Sequence, residues 1–75
     1  MMVYTDGIHL VADSLNELHS FAEEIGLKRH YFEGVRKGHP HYDLLGNKLS
    51  IAIAHGVKIV SSKEVLVLSK KLLGE

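Results

Sequence analysis

The chain has 75 residues, enough for one small core that buries roughly 60% of the surface its unfolded form exposes. Nine basic and nine acidic residues cancel, which excludes the basic bias of a dedicated nucleic-acid binder, and the lack of cysteine excludes disulfides and thiolate metal sites. No apolar run reaches the roughly 20 residues of a membrane span, and no charged-then-apolar leader opens the chain, so a cytoplasmic protein is expected.

In chain order, Val3-Tyr4-Thr5 and Ile8 to Ala12 are β-type runs separated by Asp6-Gly7. Asp and Gly tolerate positive φ, so the pair predicts a tight hairpin, with a bulged single strand as the alternative. Ile8, Leu10 and Ala12 share one face of the second run, while His9, Val11 and Asp13 share the other. Ser14 and Glu17 form a capping-box pattern ahead of Leu15, Leu18, Ala22 and Ile25, predicting a helix over 14–25 that stops at Gly26. Residues 27–32 mix bases and aromatics and read as a short strand. Residues 34–39 are polar and bracketed by glycine, and read as an exposed loop. Asp43 is placed as the cap of a second helix running to about His55, with Leu45, Leu49, Ala52 and Ile53 as its apolar stripe. Val57 to Val60 is a short strand. Ser61 and Glu64 repeat the capping box, and a third helix carries Val65, Leu68 and Leu72 in line.

The order β-α-(β)-α-β-α predicts a small α/β fold, one domain over 1–75, with three helices on a partly parallel sheet of three or four strands. Ligands of such sheets gather beyond the carboxyl ends of strands, where Asp13, Ser61 and Ser62 are expected.

The candidate chemistry is in the 6 histidines. In GHPHYDL, His39 and His41 stand at i and i+2, a spacing that points both rings one way in an extended segment, about 6.5 Å apart. Such a pair binds either a metal, with Asp43 as a further ligand, or a phosphate, with Arg36 and Lys37. An exposed loop with a capping aspartate is the bland alternative. An anion at the second helix's N-terminus would bring Lys48 and the two histidines together. His9 and Asp13 lie too far apart along a regular strand to share one ion. His19 is a boundary position on the first helix. No nucleophile elbow, phosphate-binding Gly-rich motif or His-Glu-x-x-His element is present, and Ser14, Ser61 and Ser62 read as caps.

The pieces IHLVADSLNELHSFAEEIGLKRHYF, HPHYDL and AIAHGVKIVS resemble the bacterial and phage family catalogued as domain of unknown function 4031. The resemblance spans residues 2 to about 62. It implies that His9, His19, His41, Tyr42 and Asp43 act as a set, with Lys48 and Gly56 also matching, and that His30, His39 and His55 are peripheral. Two departures stand out. Asp6-Gly7 replaces a longer insertion found in many members, and Phe32-Glu33 replaces an aromatic-Gln pair.

The leading expectation is a polar pocket formed by His9, His19, His41, Tyr42, Asp43 and Lys48, rimmed by Arg29 or Arg36, that binds a small anion such as a phosphate or nucleotide. A second is a metal-dependent phosphoesterase or nuclease with a divalent ion on His9, His41 and Asp43, and His19 as base. A third is an interaction module without a pocket, oligomeric through the helix over 65–73. A homo-oligomer is expected under all three, because so small a core is marginal. Nucleic acid is not expected as a main partner, nor is a membrane.

Overall fold

The computed structural model describes residues 2–74. Its elements in chain order are β1 (Val3–Thr5), β2 (His9–Ala12), α1 (Leu15–Glu24), a 3-10 turn (Arg29–Tyr31), β3 (Phe32–Glu33), β4 (His41–Asp43), α2 (Lys48–Ala54), β5 (Lys58–Ile59) and α3 (Ser62–Leu72). The strands form one mixed sheet in the order β3-β4-β2-β1-β5, with β1 and β5 parallel and the other pairs antiparallel. The fold is therefore α/β, as the alternation of elements predicts.

The β1–β2 hairpin forms because Asp6-Gly7 supplies the turn. Gly7 takes φ +102°, while the Asp6 carboxylate accepts from the Ile8 and His9 amides at 3.0 and 2.9 Å. β2 then runs through the middle of the sheet, and Leu10, Val11 and Ala12 are all buried. Continuous burial replaces alternation because α1 and α3 cover opposite faces of this strand. Val3, Leu10, Ala12 and Tyr42 face α1, packing with Leu18, Phe21 and Ala22. Leu10 and Leu18 are fully inaccessible, and burying each contributes about 1.5–3 kcal/mol. Val11 faces the other way, toward α3, whose buried residues are Val65, Ser69 and Leu72.

Both capping serines act as expected. Ser14 Oγ accepts from the Glu17 amide and Ser61 Oγ from the Glu64 amide, each at 3.1 Å. The Glu17 carboxylate accepts from the Met2 amide at 3.0 Å, tying the start of the chain to α1.

The segment after α1 departs from expectation. Residues 27–32 give a 3-10 turn and the start of β3 rather than a strand. His41–Asp43 is not the entry to a helix: it is β4, inserted between β3 and β2, and α2 begins only at Lys48. Asp43 pairs across from His9 and caps nothing, and Asn47 occupies the N-cap position without a side-chain bond. The stripe of α2 shifts accordingly. Leu49, Ile51 and Ala52 meet the core, while Leu45 and Ile53 are exposed. Pairing with β2 and β3 satisfies the backbone groups of His41–Asp43 in the sheet, which outweighs extending the helix about five residues toward its start across Gly46. Among the described residues, no helix is long and apolar enough to cross a membrane.

Candidate functional site

Register places the site. His9 stands directly opposite Asp43, and His41 directly opposite Glu33, so all four side chains leave the sheet on the α3 face. The His9 and His41 rings meet edge to face with centroids 5.0 Å apart, and His39 stacks on His41 at 5.3 Å. One ligand atom from each of His9, His41 and Asp43 lies within 4.8 Å of the other two. They line a cavity of about 530 Å³ that Arg36 and Lys37 also border. A second cavity of about 280 Å³ shares His9, His39 and His41 and continues over Asp6, Ser62 and Leu66.

Hydrogen-bonding roles fix the imidazoles. His41 Nδ1 lies 2.6 Å from the His39 carbonyl, which can only accept, so the ring hydrogen is on Nδ1. Nε2 then faces Asp43 Oδ1 at 3.2 Å and Glu33 Oε1 at 3.6 Å. In the neutral ring this sets a lone pair against two carboxylates, an arrangement that a proton or a metal ion between them makes favourable. His9 is arranged likewise. Its Nδ1 donates to Asp6 Oδ2 at 3.0 Å, which leaves Nε2 as the free ligand atom. The Asp6 side chain is only 4% exposed. Burial alone would raise its carboxyl pKa, but bonds from the His9 amide and imidazole, the Ile8 amide and Ser62 outweigh that and hold it well below the usual carboxylate range.

Gly34 is part of the same construction. At φ +87° it turns the chain out of β3, and a Cβ there would overlap the His39 carbonyl and lie 2.8 Å from His41 Nδ1. A side chain at 34 is incompatible with His41 in its present position.

The expected set does not meet as one pocket. Tyr42 sits between His41 and Asp43 in β4, so its side chain leaves by the opposite face. There it shares a 2.7 Å hydrogen bond with His19, whose ring packs on Phe32 at 4.6 Å. Burial, and then the Arg29 guanidinium, hold the His19 imidazole below its usual pKa, and burial pushes the Tyr42 phenol up. His19, Arg29 and Tyr42 border their own cavity of about 460 Å³. Lys48 belongs to neither group. Its Nζ donates to the Ile25 carbonyl at 3.2 Å, at the negative end of α1. The convergence of Lys48 with His39 and His41 is thus overturned, because the helix start that would have joined them is a strand. Asp13 accepts from the Tyr4 hydroxyl at 2.9 Å, and it follows a strand antiparallel to β1 and β5, so it lies at the other end of the sheet.

His39, treated as peripheral from the family resemblance, stands against His41. Asp6, Glu33 and Gly34 border the cluster without having been expected as site residues, while Ser62 borders it at the strand end where a ligand is expected. The signal for Asp6 was present: an aspartate whose carboxylate can cap amides two and three residues on also reaches the side chain at the start of the next strand. Glu33 and Gly34 carry no such signal, because their role follows from pairing with β4.

Among known families, a model described as "Protein of unknown function (DUF4031)" matches residues 4–72. No curated protein and no solved structure matches the chain.

Proposed function

Since the chain belongs to the DUF4031 family, whose description names no activity, we propose from its own site that it binds a divalent metal ion through His9, His41 and Asp43. The observation that carries this reading is the convergence of two imidazole nitrogens and one carboxylate within 4.8 Å, with His41 Nε2 turned toward carboxylates rather than toward a donor. A tetrahedral ion with bonds of about 2.0–2.2 Å separates its ligands by about 3.3–3.6 Å, so the three side chains, whose ligand atoms lie within 4.8 Å of one another, would draw in around it. Two nitrogens and one oxygen suit Zn²⁺ and its first-row neighbours, and leave coordination positions open for water or a ligand. Asp6 would orient His9 as an outer-shell carboxylate, and the His39 carbonyl would do the same for His41.

The expected anion-binding pocket acquires a condition. Asp6, Glu33 and Asp43 stand beside the same histidines, so an anion close to them requires a cation in between.

The test is metal content and affinity of untagged protein, by elemental analysis and competition with a chromophoric chelator for Zn²⁺, Mn²⁺ and Co²⁺. One equivalent of one of these ions is expected, with affinity falling at least tenfold in Asp43→Asn and His9→Gln. Folded protein that takes up none of them at 100-micromolar-scale free ion, about that concentration being generous for a three-ligand site, ends this reading.

A further inference from the structure

We propose that the ligand of this site is an organic phosphate, its phosphoryl group held between the ion and the pair Arg36–Lys37, its organic body lying against α3. The inference rests on the metal reading and adds the ligand class.

Three observations support it. First, the 530 Å³ cavity is lined by both kinds of charge: Glu33 and Asp43 with the imidazoles, and Arg36 and Lys37. In a chain of zero formal charge, that brings two cations to the same space of small-molecule size as the ion-binding group. An ion and a guanidinium bordering one cavity match the several oxygens of a phosphoryl group, which accept from both.

Second, the loop that holds the cations is ordered by its own backbone. The Lys37 and His39 amides donate to the Gly34 carbonyl at 3.1 and 3.0 Å, and the Gly38 amide to the Val35 carbonyl at 3.2 Å. Gly34 and Gly38, at φ +87° and +81°, bracket it. The turn closes at His39, whose carbonyl accepts from His41 Nδ1, so the cation-bearing loop is tied directly to a metal-ligand imidazole.

Third, the adjoining 280 Å³ cavity differs in character. It shares His9, His39 and His41 with the first, but its far wall is Val65 and Leu66 of α3, with Ser62 and Ser69. The two cavities adjoin at the three shared histidines, the first bordered by the polar β3–β4 loop and the second, more apolar, by α3. A bare inorganic phosphate would use only the first. A phosphate carrying a ring or short chain would use both.

The experiment is calorimetric titration of metal-loaded protein with phenyl phosphate and with inorganic phosphate, metal occupancy being measured separately in each sample. Phenyl phosphate is expected to bind more tightly than inorganic phosphate. The double variant Arg36→Gln, Lys37→Gln is expected to keep its metal and to weaken both ligands by about tenfold or more, that is, by about 1.4 kcal/mol or more. Leu66→Ala is expected to weaken phenyl phosphate while leaving inorganic phosphate unchanged. Metal-loaded protein that binds neither phosphate overturns the inference and leaves the metal reading standing. So does a double variant that binds both as tightly as the parent. Equal affinity for the two phosphates overturns the assignment of the organic body to α3. Failure to load metal at all is recorded by the occupancy measurement and overturns both.

Discussion

Replacing Gly34 with alanine tests whether the β3–β4 turn builds the site or merely passes it. Two costs act at this position. A non-glycine residue at φ +87° costs about 1–2 kcal/mol of backbone energy. The added Cβ would overlap the His39 carbonyl and stand 2.8 and 2.9 Å from His41 Nδ1 and Cε1, an overpacking that costs about 1–3 kcal/mol. The sum is about 2–5 kcal/mol, against a total stability of about 4–11 kcal/mol for a chain of this length. Gly56 supplies the control: its φ is +91°, and a Cβ there meets nothing within 4 Å. Gly56→Ala therefore carries the backbone cost without the overlap, and the entropy that alanine removes from the unfolded chain is common to both and cancels. Urea denaturation of the two variants should show Gly34→Ala the less stable by about 1–3 kcal/mol. Where it remains folded, its affinity for metal should fall about 10- to 100-fold, because His41 leaves its carbonyl, while Gly56→Ala keeps the parent affinity. Equal losses in the two variants, or a Gly34→Ala protein that binds metal normally, would refute the argument that this glycine is required by the imidazole beside it.

Asp6→Asn should weaken metal binding about 10- to 100-fold while the hairpin persists, since the amide can still accept at the turn but no longer holds His9 as a carboxylate does. It also predicts an acid-stability change. The Asp6 carboxyl is depressed in the folded state, so its contribution is fully present above about pH 5 and is lost as the pH falls toward the folded value. Parent stability should therefore decline below about pH 5 more steeply than that of the variant, as read by denaturant midpoints across pH 2–7; parallel profiles would contradict the assignment. In the core, Leu10→Ala should cost about 2–5 kcal/mol, the range for a fully buried leucine at the centre of a sheet, and thermal melts showing less than 1 kcal/mol would mean that β2 is not covered on the α1 face.

Much of the architecture was legible in local chemistry. The Asp-Gly turn, the two Ser-x-x-Glu caps and the glycine after α1 each act through residues within four positions, and each appears where the sequence places it. The segment 27–47 was not legible, because its outcome is settled by distant partners. HYD is compatible with a cap and with a strand, and what decides is that β2 has an open edge next to it. Spacing alone pointed to His39 and His41 with Asp43 as metal ligands, His9 entering the set only with the family resemblance, and the approach of His9, His41 and Asp43 depends on that pairing. The same pairing separates Tyr42 and His19 from the set, sending them through the sheet to the far side.

By itself, the sequence determined the alternation of helices and strands and the residue types that could bind an ion, because these depend on short-range hydrogen bonds and on side-chain chemistry. Only the tertiary structure decided which histidines share a face, because a strand's two-residue period divides its side chains between opposite sides of the sheet, and the register that aligns His9 with Asp43 comes from contacts more than thirty residues apart.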